Sequence, residues 1–166
     1  MLKIYVYGGE NPQPVIKLCA ETVKELGHKL TPSLSEADLA IAPLLTEILD
    51  LDDIITPRIG TLVFHPSLLP RHKGRDAIKW AFHAKETYTG VTWFWPDEGI
   101  DTGDICEQEV LAVEEGETPR AFYERAVVPA AVRTLRIALS YIDWGFIRRV
   151  PQIWENGTWE PRFSRH

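Results

Sequence analysis

Residues 60–74 read Gly60-Thr61-Leu62-Val63-Phe64-His65-Pro66-Ser67-Leu68-Leu69-Pro70-Arg71-His72-Lys73-Gly74. The first six residues form an apolar, β-prone run that ends on a histidine, as a short buried strand would. The proline-bounded stretch Pro66–Gly74 then reads as a loop. Ligands of open α/β sheets bind where strands end. On that ground His65 is a functional group, and the competing reading is a histidine satisfied within the core.

The flanking sequence extends the same pattern. Lys3–Tyr7 reads as a strand stopped at Gly8-Gly9. From Pro12 to Leu26, apolar residues recur at Val15, Ile16, Cys19, Val23 and Leu26, which is one helix face, and Gly27 is placed to end it. Asp38–Pro43 is a second buried strand, and Glu47–Ile55 one or two helical turns. Beyond the loop come a helix over Arg75–Ala84, a strand over Gly90–Trp95, a turn-rich loop over Pro96–Gly103 and a half-exposed strand over Ile105–Val113. Thr118-Pro119 opens a helix running to about Ile142 with a kink at Pro129. Asn156-Gly157 predicts a hairpin that pairs Trp154 with Trp159. Such a hairpin serves either as the interface of a homo-oligomer or as a lid over the chain's own core. Strand–helix alternation of this kind predicts an α/β fold, an open and mostly parallel sheet with helices on both faces. Residues 1–150 form its main body and 151–166 a hairpin tail of the same domain.

Composition sets the outer limits. The 166 residues amount to about one domain. With 45% apolar and 25% charged residues the chain is globular, which excludes disordered and collagen-like classes. No apolar run approaches the roughly 18–20 residues of a membrane span, and the N-terminus does not read as a signal peptide. Cys19 and Cys106 read as two buried free thiols, which predicts a reducing, cytoplasmic setting. The net charge of −6 argues against a nucleic-acid partner. The charge is uneven: Asp97–Glu117 holds nine acids and no Lys or Arg.

Several chemistries lack their motifs. Gly8-Gly9 does not extend to a dinucleotide fingerprint, and no phosphate-cradling loop exists. His28, His65, His72, His83 and His166 are scattered, so no metal site is expected. Ser67 is not in a nucleophile elbow, and the acids around Cys106 blunt its thiol. The second stretch of interest is Trp95-Pro96-Asp97-Glu98-Gly99-Ile100-Asp101-Thr102-Gly103-Asp104. It is either a rigid loop carrying a functional carboxylate toward His65 or a solvated acidic turn.

The strings His65-Pro66-Ser67-Leu68-Leu69-Pro70 and Gly99-Ile100-Asp101-Thr102-Gly103, with Asp101 36 positions after His65, resemble the folate-dependent formyltransferases. That family includes methionyl-tRNA formyltransferase, glycinamide ribonucleotide formyltransferase, sugar N-formyltransferases and the hydrolase domain of 10-formyltetrahydrofolate dehydrogenase. The likeness spans roughly residues 38–142. It implies a Rossmann-like formyltransferase fold, 10-formyltetrahydrofolate as formyl donor, a small-molecule amine as acceptor, and His65 and Asp101 as the catalytic pair. Attack on a formyl carbon builds negative charge on its oxygen, which an imidazole N–H stabilises, while a carboxylate orients the imidazole and takes the amine proton. The resemblance also implies a pterin site at Thr46, Glu47, Ile48, Leu49 and Thr61, then Trp95, Pro96, Asp97, Glu98, Gly99 and Ile100.

Two departures from the family pattern stand out. Many members carry Asn two residues before the histidine, where this chain has Val63, which donates no hydrogen bond to an oxyanion. The hydrolase domain of 10-formyltetrahydrofolate dehydrogenase is similar here, with an apolar residue at that position and the longer string ending Pro-Arg-His. The N-terminal half is also short, with room for one brief strand between Leu26 and Asp38. Three readings follow: formyl transfer to a small amine, hydrolysis of the donor, and a folate- or metabolite-binding module with a degraded site.

Overall fold

The computed structural model describes residues 1–10 and 12–164; His166 lies outside them. Among these residues six strands form one sheet in the order β2-β1-β3-β4-β5-β6. They are β1 (Lys3–Val6), β2 (Lys29–Leu30), β3 (Leu39–Ala42), β4 (Gly60–His65), β5 (Tyr88–Phe94) and β6 (Ile105–Ala112). β2, β1, β3 and β4 pair in parallel, whereas β5 runs antiparallel to both β4 and β6. The sheet is therefore mixed, with β5 alone reversed.

The helices follow the apolar periodicity. Helix α1 (Pro14–Glu25) buries Val15, Ile16, Cys19, Thr22 and Val23 on one stripe, and Gly27 after it adopts φ +83°. Between this helix and β3 the chain makes the short edge strand β2 and then a 3₁₀ turn over Leu34–Glu36. Helix α2 (Leu51–Ile55) is capped by Asp50, whose side chain accepts from the Asp53 N–H. Helix α3 spans Ala77–His83, α4 Pro119–Phe122 and α5 Val128–Asp143. Thr118 caps α4 through the Ala121 N–H. Between α4 and α5 lies a π-helical turn, where the Val128 N–H reaches the Tyr123 carbonyl. Pro129 follows at once and cannot donate to the Arg125 carbonyl, so the widened turn is the form the kink takes.

Alternation along β4 separates the two faces of the sheet. Leu62 and Phe64 join Ile4, Leu39, Ile41, Val91 and Trp93 in a large core covered by α1 and α5. Ile78 and Phe82 of α3 and Phe122 of α4 pack on the same core. Thr61, Val63 and His65 point the other way. There the core is small: Ala42, Val63, Leu69 and Phe94, with Tyr7, Leu45 and Leu49 against it. Helices do lie on both faces, but only the short α2 sits on this one, tied by the Thr61 hydroxyl to the Asp53 and Ile54 carbonyls. The Pro66–Gly74 loop covers the rest. The Thr92 hydroxyl donates to the Ser67 carbonyl and accepts from the Leu69 N–H. A Cβ on Gly90 would sit 2.4 Å from Leu68 Cδ2, so the loop lies directly on β5.

The hairpin expected at Asn156-Gly157 does not form. Trp154–Asn156 is a 3₁₀ turn, and Gly157 has φ −89°, outside the left-handed region such a hairpin requires. The flanks pair with distant partners instead: Val150 with Ile105, and Trp159 with Lys73. The tail is thus an extended strap laid along the loop after β4, and Trp154 and Trp159 do not face each other across a turn.

Candidate active site

His65 ends β4 on the thinly covered face and is 6% exposed. Its Nε2 donates to the His72 carbonyl at 2.7 Å. A carbonyl only accepts, so the proton of a neutral ring is on Nε2 and Nδ1 carries the lone pair. Nδ1 faces Asp101 Oδ2 at 3.5 Å, too far for a committed hydrogen bond. Nδ1 is therefore the ring atom available to a reacting group.

His72 is itself heavily constrained. It adopts φ +52°, a left-handed conformation costly for a side-chain-bearing residue. Its N–H donates to the Thr158 hydroxyl at 2.8 Å. Its ring nitrogens face Glu160 Oε1 at 2.9 Å and Glu86 Oε1 at 3.0 Å. Arg71 also pairs with Glu86. Tail and loop are further joined by the Lys73 N–H to the Thr158 carbonyl and the Glu160 N–H to the Lys73 carbonyl. The carbonyl that orients His65 is thus fixed by residues nearly ninety positions away.

The Asp101 loop runs back along the same face. Asp97 Oδ1 accepts from the Gly99 N–H at 3.0 Å and the Thr102 hydroxyl at 2.5 Å. Gln152 Nε2 donates to the Asp101 and Gly103 carbonyls at 2.9 and 2.7 Å. At Gly103 a Cβ would lie 1.7 Å from the Trp95 carbonyl oxygen, so no side chain fits there. Asp101 adopts φ +55°, and its Oδ2 accepts from the Gly74 N–H at 2.7 Å.

A cleft of about 1110 Å³ opens over this pair. It is large enough for a drug-sized ligand plus a second small molecule. His65 and Asp101 line it, with Val63 beside them as an apolar wall. Thr46, Glu47, Ile48 and Leu49 line it after β3, as do Pro96, Asp97, Gly99 and Ile100 in the Asp101 loop. Three residues of the expected pterin site lie elsewhere. Thr61 is 1% exposed and spends its hydroxyl on α2. Trp95 belongs to the large core, with its indole N–H on the Arg148 carbonyl and Arg149 stacked 4.4 Å from its ring. Glu98 is exposed at the loop tip, outside the cleft lining.

The sequence reading missed Arg75, Asp76, Tyr123, Trp159, Glu160 and Arg162 as cleft residues. It also missed His72 and Gln152 as supports. His72 stood within the quoted Pro-Arg-His string, whereas nothing in the spacing of residues 152–162 pointed to residue 72.

Neither cysteine competes as a nucleophile. Burial pushes the Cys19 thiol up to about 12. Burial and then Glu107 push Cys106 up to about 12, against a smaller opposing pull from Arg148 and Arg149. Among the described residues no group of three or more metal-binding side chains converges, and no helix is long and apolar enough to cross a membrane.

An open α/β sheet with a ligand-sized cleft, a histidine at a strand end and an aspartate in the facing loop defines a small-molecule site of the doubly wound type. The comparisons make the class specific. The Formyl transferase family profile matches residues 17–133, and the chain belongs to that family. It is 34% identical over 145 residues to the mitochondrial 10-formyltetrahydrofolate dehydrogenase of Homo sapiens, covering 87% of this chain and 15% of that protein. The formyltransferase PseJ from Anoxybacillus kamchatkensis, solved with UDP-4,6-dideoxy-4-formamido-L-AltNAc and tetrahydrofolate, superposes with a TM-score of 0.79 at 26% identity. That match covers 95% of this chain and 85% of PseJ. HypX from Aquifex aeolicus, solved with tetrahydrofolic acid, gives a TM-score of 0.84 at 22% identity, covering 98% of this chain and 30% of HypX. The last likeness is one of fold. The chain spans about one seventh of the length of the human relative.

Proposed function

We propose that residues 1–150 form the catalytic body of a 10-formyltetrahydrofolate-dependent N-formyltransferase acting on a small-molecule amine, with 151–166 as a supporting strap. The observation that carries this reading is His65 Nδ1 at 3.5 Å from Asp101 Oδ2 in a cleft of about 1110 Å³. The cleft suits the donor: Leu44, Leu45, Ile48, Leu49 and Ile100 offer apolar walls for a flat heterocycle, and the adjoining loops offer backbone polar groups. When bound, 10-formyltetrahydrofolate supplies an activated formyl group. In its imidazolium form His65 keeps Nε2 on the His72 carbonyl and presents Nδ1–H to the negative charge that develops on the formyl oxygen. Asp101 has Oδ2 engaged by the Gly74 N–H, with His65 Nδ1 facing it at 3.5 Å. Its Oδ1 takes the proton released by the attacking amine and returns it to N10 of the donor as the formyl–N10 bond breaks and tetrahydrofolate leaves. The two free, buried thiols support a reducing, cytoplasmic setting.

A specific observation favours hydrolysis as the second reading. Val63 adds no donor beside His65, and the human relative is a 10-formyltetrahydrofolate dehydrogenase. In that case water takes the place of the amine at Asp101. The deciding experiment incubates the full chain with 10-formyltetrahydrofolate, alone and then with a panel of amines. Tetrahydrofolate released only with amine supports transfer, release without amine supports hydrolysis, and binding without release overturns both in favour of a binding module.

A further inference from the structure

The acids and the cations of the cleft are in unequal condition. Asp76 holds Lys79 Nζ and the Phe163 N–H, each at 3.1 Å. Asp97 is spent on its own loop, one oxygen of Asp101 on the Gly74 N–H and Glu160 on His72, while Glu47, exposed after β3, has no ion-pair partner among the described residues. Arg75 and Arg162 also line the cleft, and both are exposed. Among the described residues neither has a carboxylate within ion-pair distance.

The fold brings these two arginines to one place. Asp76, at φ +60°, accepts from the Phe163 N–H, which ties the residue after Arg75 to the residue after Arg162. The Trp80 indole N–H on the Pro161 carbonyl at 2.8 Å is a second tie between the same segments. Gly74, immediately before Arg75, donates its N–H to Asp101. Two cations therefore arise from neighbouring backbones on the lining of the cleft that holds His65 and Asp101. A guanidinium presents a planar fork that fits carboxylate and phosphate.

We infer that Arg75 and Arg162 form a subsite for a carboxylate or phosphate carried by a ligand of this cleft. The inference rests on the formyl-transfer reading for the identity of the ligands: the anion comes with the acceptor amine or with the glutamyl tail of the folate donor. Either source makes the arginine pair a specificity determinant that orients its ligand relative to His65 and Asp101.

Calorimetric titration of the full chain separates the sources without relying on turnover. The first arm compares glucosamine 6-phosphate with glucosamine, and glycine with glycinamide, after saturation with tetrahydrofolate. The second compares tetrahydrofolate with tetrahydropteroate, which lacks the glutamate. In at least one arm the anionic ligand is expected to bind at least tenfold more tightly than its neutral counterpart. Arg75→Gln and Arg162→Gln should each cut that preference at least fivefold and leave the neutral counterpart unchanged. Preference in the first arm assigns the subsite to the acceptor, and preference in the second to the folate tail. Equal binding of charged and neutral ligands in both arms, or a preference that survives both substitutions, overturns the subsite. Failure of the formyl-transfer reading would show separately, as wild-type protein that keeps its anion preference but releases no tetrahydrofolate from 10-formyltetrahydrofolate.

Discussion

The two faces of the sheet share strands but differ in purpose. On one, alternate residues of β1, β3, β4 and β5 disappear under α1 and α5, and Trp93, Leu135 and Leu139 are fully buried. On the other, α2 and two loops cover a four-residue buried cluster, and a cleft occupies the space a helix would fill. Phe64 and His65 are adjacent in sequence, yet the first packs against Trp93 at 5.2 Å and the second faces the cleft. One face supplies rigidity so that the other can leave polar groups uncommitted, a division expected where a site is built on a stable scaffold. Substitutions on the two faces should accordingly separate into losses of activity and losses of stability.

The largest effect is expected on the thin face. His65→Ala and Asp101→Asn should each lower turnover by about 10²–10⁴-fold, the usual weight of a positioned acid or base. Asn tolerates the left-handed φ at position 101, so its loop should persist. The check is turnover alongside circular dichroism and the melting temperature; unchanged turnover in either variant would remove it from the catalytic pair. The mirror experiment is Leu135→Ala on the helix-covered face. A fully buried leucine there should cost about 2–5 kcal/mol of stability in denaturant unfolding. Turnover of the folded fraction should stay near that of the wild type. A Leu135→Ala protein that loses activity while keeping its stability would break the division between the faces.

A smaller effect sharpens the choice between transfer and hydrolysis. Val63 lies beside His65 in the cleft wall and offers no donor. Val63→Asn should raise amine-dependent turnover about tenfold, less than the roughly 10²–10³ of a fully aligned oxyanion donor. It should also cost about 1–3 kcal/mol of stability wherever the new amide leaves a hydrogen-bonding group unpaired in the small core. Rate assays with and without amine read the first effect, and a urea melt the second. A rise confined to the amine-free rate would favour hydrolysis.

The sequence exposed these two faces unequally. The strands and helices of the packed face were legible because burial imposes strict periodicity, as along α1, where Val15, Ile16, Cys19 and Val23 fall on one stripe. β4 and its terminal histidine were legible for the same reason. Asp101 was not separable by pattern from the other acids of Asp97–Glu117, and only the family resemblance singled it out. Its neighbour Asp97 looked equivalent, but it is consumed by the Gly99 and Thr102 hydrogen bonds. The tail was misread because Asn156-Gly157 is a local signal. The contacts that decide its path, Trp159 with Lys73 and Glu160 with His72, join positions far apart in sequence. Thr61 misled in the opposite sense: a polar residue near a cleft whose hydroxyl serves a helix.

The smallest expected effect lies at the joint between cleft and tail. Burial pushes the Asp76 carboxyl up. The Lys79 and Phe163 hydrogen bonds, with the charges of Lys79 and Arg162, outweigh it and hold Asp76 below the ordinary aspartate range. In the unfolded chain it titrates near 3.9. A carboxyl depressed by folding binds its proton less readily in the native state, so it contributes stability above that value. The contribution is lost as pH falls through the lower, folded value. Melting temperatures from pH 7 down to pH 3 should therefore fall more steeply for wild type than for Asp76→Asn, whose side chain cannot titrate but tolerates the same left-handed backbone. Trp80, whose indole holds the Pro161 carbonyl, should report the release of the tail by fluorescence over the same range. Parallel acid curves for the two proteins would mean that the Phe163–Asp76 bond does not carry the joint. The tail would then be held on the thin face by the His72–Glu160 contact and the pairing of Lys73 with Trp159.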